Sequence, residues 1–312
     1  MERRIVTVFG GSGFIGRYVV RRLAAAEWIV RVAVRDTESA LFLKVAGDPG
    51  QVVPFAADIT DEASVARAVE GAGAVVNLVG ILYQRGRRTF QRIHVEGAAT
   101  VARAARAAGA ERLLQMSAIG ADADSAAEYA RTKAAGEKAA AEAFPGASVL
   151  RPSVVFGAED NFLNRFAEMA RFMPVLPVFA TRFQPVWVGD VAEAYFRVLS
   201  DPATAGKTYE LGGPQVVSFR QLMQLMLREI ARERVLLPMP MAIAEFEAWF
   251  LEKLPVPPLT RDQVKLLGSD NVVSPQALTL RDLGIEATAM EAVIPSYLDR
   301  YRPQAKQRAR LG

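Results

Sequence analysis

The sequence contains no cysteine and a single histidine, His94. Without cysteine the chain can form no disulfide and can offer no thiolate ligand to zinc or to an iron–sulfur cluster. One histidine is also too few for a metal site built on imidazole groups. We therefore predict that no metal is bound, and the lack of cysteine is compatible with a reducing compartment.

Long apolar runs are missing as well, although 51% of the 312 residues are hydrophobic. No run reaches the roughly 18 apolar residues that a membrane-spanning helix requires. An apolar strand begins directly after Met1-Glu2-Arg3-Arg4, which leaves no room for the apolar stretch of a signal peptide. We expect no transmembrane segment, and a protein that is soluble or peripheral at a membrane.

Acidic excess is absent, since the formal net charge is +4. The basic excess is scattered along the chain and no nucleic-acid-binding motif accompanies it. A solvated basic surface is the favoured interpretation, and we expect no nucleic-acid partner. An acidic protein surface and anionic lipid headgroups remain alternative partners.

The first half of the chain alternates short apolar strands with longer alanine-rich helices. Near-continuous apolar strands in such an alternation are typical of a parallel sheet that is covered on both faces. We predict the α/β class, with a Rossmann-type doubly wound parallel sheet and a smaller C-terminal lobe. The predicted strands are Ile5–Phe9, Ile29–Val34, Val52–Phe55, Ala74–Leu78, Leu113–Met116 and Ser148–Leu150, and the predicted helices are Phe14–Ala25, Glu62–Glu70, Val95–Ala108 and Ala126–Phe144.

The regular alternation ends after Arg151-Pro152, and prolines cluster at 174–185 and 238–258. We predict a nucleotide-binding Rossmann domain over residues 1–155 and a smaller lobe over 156–312 for substrate or partner contacts. Residues from about 205 to 213, which include the predicted strand Thr208–Leu211, are expected to return to the sheet of the first domain.

Three glycines follow the first predicted strand at the spacing of a dinucleotide-binding turn. Gly10 permits the tight turn, Gly13 lets the backbone approach a pyrophosphate, and Gly16 lets the helix pack close to the sheet. The helix N-terminus would then face the phosphates with free N–H groups and its positive dipole end. A glycine-rich turn without a ligand is the alternative. The remaining residues of the turn that we expect to contact the cofactor are Ser12, Phe14, Ile15 and Arg17.

The residue after the second strand indicates which cofactor is held. NAD sites place an acid there, which binds the ribose 2′-hydroxyl. Here Arg35 takes that place, and its guanidinium could pair with the 2′-phosphate of NADP(H), joined by Arg17. Asp36 follows and keeps NAD as an alternative, and both arginines could also be ordinary surface residues. We predict NADP(H).

Two further segments at strand ends fit the same site. Asp58, with Ile59, follows the third strand and is placed to meet the adenine amino group. The fourth strand closes beside the expected cofactor ribose, where we predict contacts from Asn77, Leu78, Val79 and Gly80.

A serine and a Tyr-x-x-x-Lys pair form the pattern of a carbonyl reductase. Ser117 ends the fifth strand, and Tyr129 and Lys133 follow on one face of a helix, about 5–6 Å apart at Cβ. A nearby ammonium favours tyrosinate and is expected to lower the tyrosine pKa toward a value suited to proton transfer. Ser117 could hydrogen-bond a substrate carbonyl. We predict these three residues as catalytic, or as cofactor-binding only.

Together these motifs resemble the atypical and extended short-chain dehydrogenase/reductase superfamily. Within it, the chain is similar over roughly residues 4–300 to one branch, the NADPH-binding accessory subunits of respiratory complex I in their bacterial form. Pro152, within one of the matching motifs, is a further expected cofactor contact. The motifs that carry this similarity are 117–122, 129–137, 151–157, 159–164, 184–192, 211–214 and 260–264.

The resemblance implies a subunit that holds its nucleotide for assembly or stability, outside the electron-transfer chain. It implies other complex I subunits as partners and a peripheral location at the cytoplasmic face of a bacterial inner membrane. Because Ser117, Tyr129 and Lys133 are all present, a stand-alone NADP-dependent reductase or epimerase for a small carbonyl compound is the alternative. A redox-sensing regulator that binds nucleotide without turnover is a third. Fold alone does not decide among them.

Two further features have structural and functional interpretations. His94 stands where many superfamily members carry asparagine, and we expect a structural role because no acid is near it in sequence. The segment Met239–Leu254 carries Phe246, Trp249 and Phe250 at helical spacing. We expect that helix to pack on its own lobe. Docking onto a partner subunit or a membrane interface is the alternative.

Overall fold

The computed structural model describes residues 4–303. Seven strands form one sheet and six short strands form three separate pairs. The seven are β1 (Ile5–Phe9), β2 (Ile29–Val34), β3 (Val52–Ala56), β4 (Ala74–Asn77), β5 (Arg112–Met116), β6 (Ser148–Pro152) and β11 (Thr208–Leu211); the six are β7 (Val155–Phe156), β8 (Val175–Val178), β9 (Arg182–Phe183), β10 (Val186–Trp187), β12 (Val217–Ser218) and β13 (Val235–Pro238).

The described residues also form eleven α-helices, seven before the last strand β13 and four after it. A 3₁₀ segment, Glu38–Ala46, follows β2, and a π-helical turn, Gln91–Glu96, leads directly into the third helix. The helices are α1 (Phe14–Ala25), α2 (Glu62–Val69), α3 (Gly97–Ala107), α4 (Glu128–Ala143), α5 (Leu163–Phe172), α6 (Val188–Ser200), α7 (Phe219–Glu229), α8 (Met241–Leu251), α9 (Arg261–Leu266), α10 (Met290–Val293) and α11 (Pro295–Leu298).

The large sheet has the strand order β11-β6-β5-β4-β1-β2-β3. Neighbouring strands from β3 to β6 pair in parallel, with Val8 opposite Val32 on one side and Val76 on the other. Order 3-2-1-4-5-6 is that of a doubly wound dinucleotide-binding sheet, whose strand order reverses between β1 and β4. The predicted α/β, Rossmann-type fold is confirmed.

Both faces of the sheet are covered, as alternate residues of β1 show. Phe9 packs with Val65 of α2, Val101 of α3 and Phe144 just after α4 in one apolar cluster. Val8 lies on the other face, toward Val20 of α1. Side chains on a strand alternate between faces, so a strand that is apolar at every position indicates helices on both sides.

The chain divides into two compact units. Unit 1 comprises Met1–Arg151, Gly189–Leu211 and Gln276–Ile285, and unit 2 comprises Pro152–Val188, Gly212–Pro275 and Glu286–Gly312. Unit 1 therefore takes in more of the later chain than the return over 205–213 that the sequence predicts. Those extra segments lack the long apolar strands by which sequence patterns mark a sheet.

Unit 2 has its own core, with Phe219 of α7 at its centre. The Phe219 ring lies 5.4–5.8 Å from four other phenylalanine rings. Asp160, buried beneath α5, accepts hydrogen bonds from the Leu163 amide and the Tyr297 hydroxyl. The matching motif at 159–164 thus has a structural role in starting α5.

Helix α8 exposes the side chains that sequence patterning places inside. Its buried residues are Ala244 and Ala248, while Phe246, Trp249 and Phe250 are exposed by 65%, 42% and 52%. The helix does pack on its own unit, but through alanines. Small side chains on the packed face let the backbone approach closely, and the aromatic rings stay outside.

Candidate functional site

The glycine turn joins β1 to α1 in unit 1. Gly10 has φ +77°, a left-handed conformation that glycine adopts without cost, and the Gly13 amide donates to its carbonyl at 3.1 Å. A Cβ on Gly16 would overlap that same carbonyl oxygen, so the first turn of α1 packs directly on the glycine turn. Among the described residues no side chain caps α1, and Gly13 lies exposed at its N-terminus.

The sequence interpretation missed Gly11, which is buried in the middle of this turn. A Cβ there would lie 2.8 Å from Val32 Cγ1 of β2 and 3.1 Å from Val20 Cγ2 of α1. Close packing of the helix on the sheet therefore depends on Gly11. Gly16, predicted for that role, instead packs against the turn. The glycine spacing alone does not separate the two roles.

The end of β4 lies against the glycine turn. A Cβ on Gly10 would lie 3.3 Å from Val79 Cγ2. Asn77 is buried, its amide nitrogen donates to Gln115 at 2.9 Å, and its oxygen accepts from the Val79 amide. Leu78 is buried as well, and its amide donates to the Phe9 carbonyl. These contacts fix the loop from Asn77 to Gly80 beside the turn.

Asp58 and Ile59, predicted near the adenine, have local partners. One Asp58 carboxylate oxygen accepts from both the amide and the hydroxyl of Thr60, at 2.9 and 2.8 Å. Ile59 is buried, and its Cδ1 lies 2.5 Å from where a Cβ on Gly97 would be. The Ile59 side chain therefore packs on the start of α3.

The two candidate 2′-phosphate ligands differ in how they are held. Arg17 reaches back over the glycine turn, with its Nε 3.4 Å from the Gly13 carbonyl and its guanidinium 5.0 Å from the Phe42 ring centroid. Arg35 is exposed directly after β2 and makes no ion pair with any residue in 4–303. Asp36 beside it uses a carboxylate oxygen to accept from the Glu38 amide, at 3.0 Å.

Ser117 lies at the end of β5 with its side chain inside the protein. Its backbone amide donates to the Leu150 carbonyl at 2.8 Å. The residue is only 3% exposed, and its Oγ has no hydrogen-bond partner among the described residues. A buried hydroxyl without a partner costs about 1–3 kcal/mol, so it marks a position where a ligand atom can complete the bonding.

Lys133 is buried on α4 and lies against the loop after β4. A Cβ on Gly80 would lie 3.1 Å from its Nζ, which is 5.7 Å from the Tyr129 ring centroid. Burial lowers the pKa of Lys133 to about 8, and the Glu137 carboxylate one turn later opposes this. At neutral pH Lys133 is an ammonium that lacks most of its water.

Tyr129 is half-buried and packs against two rings, Phe90 just before the π-helical turn and His94 within it. Phe90 and His94 meet it edge-on, at centroid distances of 5.8 and 5.3 Å. Burial raises the pKa of Tyr129 to about 12. The expectation that Lys133 lowers the tyrosine pKa is wrong for the protein without a ligand, because the loss of hydration around the ring outweighs an ammonium placed 5.7 Å from its centroid.

His94 joins this aromatic group to α4. Its Nε2 accepts from the Ile81 amide at 3.1 Å, so the ring proton resides on Nδ1, which donates to Thr132 Oγ1 at 3.1 Å. Burial, together with the Lys133 ammonium, lowers the pKa of His94 to about 3. The neutral ring ties the segment after β4 to α4, which supports the structural role expected for it.

A charged network behind Lys133 was not predicted as part of the site. Arg151 of β6 binds Glu137 of α4 through two bonds, at 2.8 and 2.6 Å, and lies 3.5 Å from Glu210 of β11. The next residue, Pro152, is buried at the end of β6 and belongs to unit 2. The network fixes the helix that carries Tyr129 and Lys133 to two strands of the sheet.

Within residues 4–303, none of the helices combines the length and the apolar character needed to cross a bilayer.

Comparison with known proteins places this geometry in a family. Residues 6–212 match the model of the NAD dependent epimerase/dehydratase family. The triphenylmethane reductase of Citrobacter sp., solved with NADP(H), shares the fold at a TM-score of 0.75 and 18% identity, over 94% of this chain and 99% of that one.

Two curated relatives match along nearly the whole chain. The alpha subcomplex subunit 9 of mitochondrial NADH dehydrogenase (ubiquinone) 1 from Arabidopsis thaliana is 37% identical, over 96% of this chain and 78% of its own length. The mitochondrial NADH-ubiquinone oxidoreductase 40 kDa subunit of Neurospora crassa is 34% identical, over 96% and 80%. The chain belongs to the NAD dependent epimerase/dehydratase family and, within it, to the family of these NADH dehydrogenase subunits.

Proposed function

We propose that this chain is an accessory subunit of respiratory complex I, of the bacterial form, that holds NADP(H) for structural or assembly purposes. The observation that carries the proposal is the extent of the similarity. The subunit relatives match 96% of the chain, including unit 2, whereas the general family model ends at residue 212. A shared fold alone does not give this level of identity, since the triphenylmethane reductase covers 94% of the chain at only 18% identity.

The residues of unit 1 fit a bound dinucleotide. The uncapped N-terminus of α1, beside Gly10, Ser12 and Gly13, would bind the pyrophosphate through the N–H groups of its first turn, because the Gly10 and Gly13 amides already donate to the carbonyls of Ala33 and Gly10. Ser117 Oγ, buried without a partner, and the Lys133 ammonium beside Gly80 would donate to the nicotinamide half. The remaining proposed contacts in unit 1 are Phe14, Ile15, Gly16, Asp58, Ile59, Asn77, Leu78, Val79 and Tyr129.

NADP(H) is favoured over NAD(H) by the charges that follow β2. Arg35 is exposed and without an ion pair among the described residues, so its guanidinium is available to a 2′-phosphate. Arg17 is held over the turn on the Phe42 ring. Asp36, the residue that could bind a 2′-hydroxyl, already accepts from the Glu38 amide.

A structural role fits the surroundings of Tyr129. A bound NADPH would supply a hydride, and a reductase then needs a tyrosine that readily gives up its proton. Here burial raises the pKa of Tyr129 to about 12, and the rings of Phe90 and His94 pack edge-on against it. The hydroxyl keeps its proton and would serve as a hydrogen-bond donor to the cofactor ribose.

We further propose a division of labour between the units. Unit 1 binds the nucleotide, and unit 2 contacts other complex I subunits. The location that follows from the resemblance is peripheral, at the cytoplasmic face of a bacterial inner membrane, with no role for nucleic acid.

Co-migration tests the assignment. Membranes from a cell that produces the tagged full-length chain, solubilised gently, should show the tag and NADH dehydrogenase activity in the same band of a native gel. The purified protein should also release NADP(H) on denaturation. A tag that migrates only as free protein, away from the activity, would refute the accessory-subunit proposal.

A stand-alone NADP-dependent reductase or epimerase for a small carbonyl compound is the second candidate. It is favoured by one observation, the complete set of Ser117, Tyr129 and Lys133 with the serine hydroxyl unengaged. Loss of a general acid should remove roughly two to four decades of rate. NADPH oxidation by the purified protein is therefore measured against aldehydes, ketones and quinones.

The two candidates predict opposite outcomes for the same pair of variants. If the chain is an accessory subunit, Tyr129→Phe leaves complex I activity unchanged, and Lys133→Ala lowers NADP(H) content more than Tyr129→Phe does. If the chain is an enzyme, the parent protein turns over a carbonyl substrate and Tyr129→Phe abolishes this with the cofactor still bound.

A further inference from the structure

The pair of strands β8 and β13 in unit 2 is apolar on both of its faces. Inward, Leu176 is fully buried and Leu236 packs against the unit's core. Outward, Val235 lies opposite Val175, and Leu237 lies opposite Pro177. A two-stranded pair at a protein surface normally alternates apolar residues inward with polar residues outward.

Two of the four outward residues of this pair are strongly exposed. Val235 is 62% and Leu237 51% exposed, and Phe172, just before β8, is 75% exposed. No polar side chain separates the four outward positions of the pair. A contiguous apolar surface of this kind marks a contact with a partner or with a membrane.

Arginines lie beside the start of β13, where Arg234 directly precedes the outward residue Val235. A shallow groove beside β13 is lined by four of them, with one carboxylate, Glu233, among them. None of the four forms an ion pair with a residue in 4–303. Arg234 donates to the Ala170 carbonyl. Burial lowers the pKa of Arg232, and the positive charges of Arg234 and Arg171 lower it further, so these three guanidiniums lie close together. The four arginines are Arg220, Arg228, Arg232 and Arg234.

The same unit exposes the aromatic side of α8, which follows β13 in sequence. Lys253 places its ammonium 3.7 Å from the Trp249 ring centroid, and Phe250 lies beside that tryptophan. Tryptophan and phenylalanine with a lysine at their edge are typical of side chains at the boundary between acyl chains and headgroups.

We propose that this face, made of the outward residues of β8 and β13 with the four groove arginines, binds the surface of a membrane that contains anionic phospholipids. The apolar side chains would enter the boundary between headgroups and acyl chains, and the guanidiniums would bind lipid phosphates. A lipid surface complements both the arginines and the uninterrupted aliphatic side chains. An acidic protein surface would complement the arginines only, so a lipid surface is favoured. The inference extends the peripheral location proposed above and rests on that proposal.

Flotation of the purified full-length chain with vesicles tests the proposal. One set of vesicles contains phosphatidylcholine alone, and the other contains phosphatidylglycerol as well. We expect the chain to float only with the second set, and to be released by high salt because screening weakens headgroup attraction. Absence of binding, or equal binding to both sets, overturns the proposal.

Two surface variants separate the charge from the apolar contact. Arg228 is exposed. Each charge near an anionic surface contributes about fivefold in affinity. Because Arg228→Glu changes the charge by two, it should weaken vesicle binding by roughly 25-fold. Leu237→Ser should weaken binding to phosphatidylglycerol vesicles at low salt, although it leaves the charge of the protein unchanged. Binding that survives both substitutions contradicts the assignment of this face.

Matched substitutions in unit 1 serve as controls. Arg67→Glu on α2 and Val45→Ser, at a position 89% exposed, change the same chemistry elsewhere and should bind as the parent does. Unchanged melting temperatures show that the variants are folded. Co-migration with NADH dehydrogenase activity, measured in parallel, keeps the two proposals separate, because a chain can bind vesicles yet migrate alone. If Arg228→Glu disrupts co-migration while the parent protein does not bind vesicles, the face binds an acidic protein and the lipid assignment is wrong.

Discussion

His94 is buried in its neutral form, and this lowers the stability of the folded protein at acidic pH. The folded-state pKa of about 3 lies below the ordinary value of 6.5. Between these values the unfolded chain binds a proton at His94 and the folded chain does not. Stability that the neutral ring supports is therefore lost as the pH falls from about 6.5 toward 3.

A substitution that cannot titrate isolates this effect. From pH 7 to pH 5, the free energy of unfolding of the parent should fall by about 2 kcal/mol more than that of His94→Asn. Urea unfolding at the two pH values measures both. Equal losses in parent and variant would mean that His94 is protonated in the folded protein.

The prediction that NADP(H) is bound in preference to NAD(H) rests on Arg35. Arg35→Asp should weaken NADPH binding by about one to two decades and NADH binding by much less, because a charge-assisted contact to phosphate contributes roughly 1.5–3 kcal/mol. Calorimetry with both nucleotides gives the two affinities, and Arg67→Asp on α2 is the surface control. Equal affinity of the parent for NADPH and NADH would contradict the prediction.

Sequence patterns predict where a residue lies in the fold better than they predict which groups surround its side chain. The glycine spacing and the Tyr129–Lys133 pair follow from sequence because each is local, within one turn or one helix. The raised pKa of Tyr129 could not be predicted, since it depends on Phe90 and His94, which another segment supplies. The unengaged Ser117 hydroxyl likewise depends on what surrounds the end of β5.

Among the elements, α4 is the helix whose placement the candidate site depends on most. It carries Tyr129 and Lys133, and it packs so closely on the π-helical turn that a Cβ on Gly136 would overlap the His94 carbonyl oxygen. Its bounds were predicted to within two residues at each end, since its N- and C-termini follow from local sequence. Its attachment to β6 and β11 through Arg151 was not predicted, because it joins three distant parts of the chain.

Breaking that attachment should be costly. Arg151→Met removes the partner of Glu137, whose side chain is only 12% exposed, and we expect a loss of about 3 kcal/mol in the free energy of unfolding. Lys138→Met on the same helix is the control. Its pair with Glu142 is 3.9 Å long and solvent-exposed, so a change within about 0.5 kcal/mol is expected. Similar losses in the two variants would argue against the buried pair as a stabilising link.

At the scale of the whole molecule, the nucleotide should act as a stabilising ligand of unit 1. A ligand held at 100 times its dissociation constant adds about 2.7 kcal/mol to the free energy of unfolding. Gly13→Val should lower both the NADP(H) content and the melting temperature. A Cβ on Gly13 would lie 3.2 Å from the Gly10 carbonyl oxygen, so the chain itself needs to adjust only slightly.

The parent protein stripped of nucleotide is the reference for that variant. Its melting temperature should match that of Gly13→Val, which shows that the loss comes from the ligand. A variant without nucleotide that melts like the nucleotide-bound parent would count against a stabilising role.

The three-part composition of unit 1 has a consequence for the order of events during synthesis. Strand β11, which completes the sheet beside β6, lies almost sixty residues after it, and Gln276–Ile285 joins the unit later still. A ribosome has therefore made most of unit 2 before Gln276–Ile285 completes unit 1, and it has already made Pro152–Val188 before it makes β11. Until then β6 is an unprotected edge, open to pairing with other chains. A recombinant fragment that ends at residue 155 would keep that edge permanently, however complete its glycine turn.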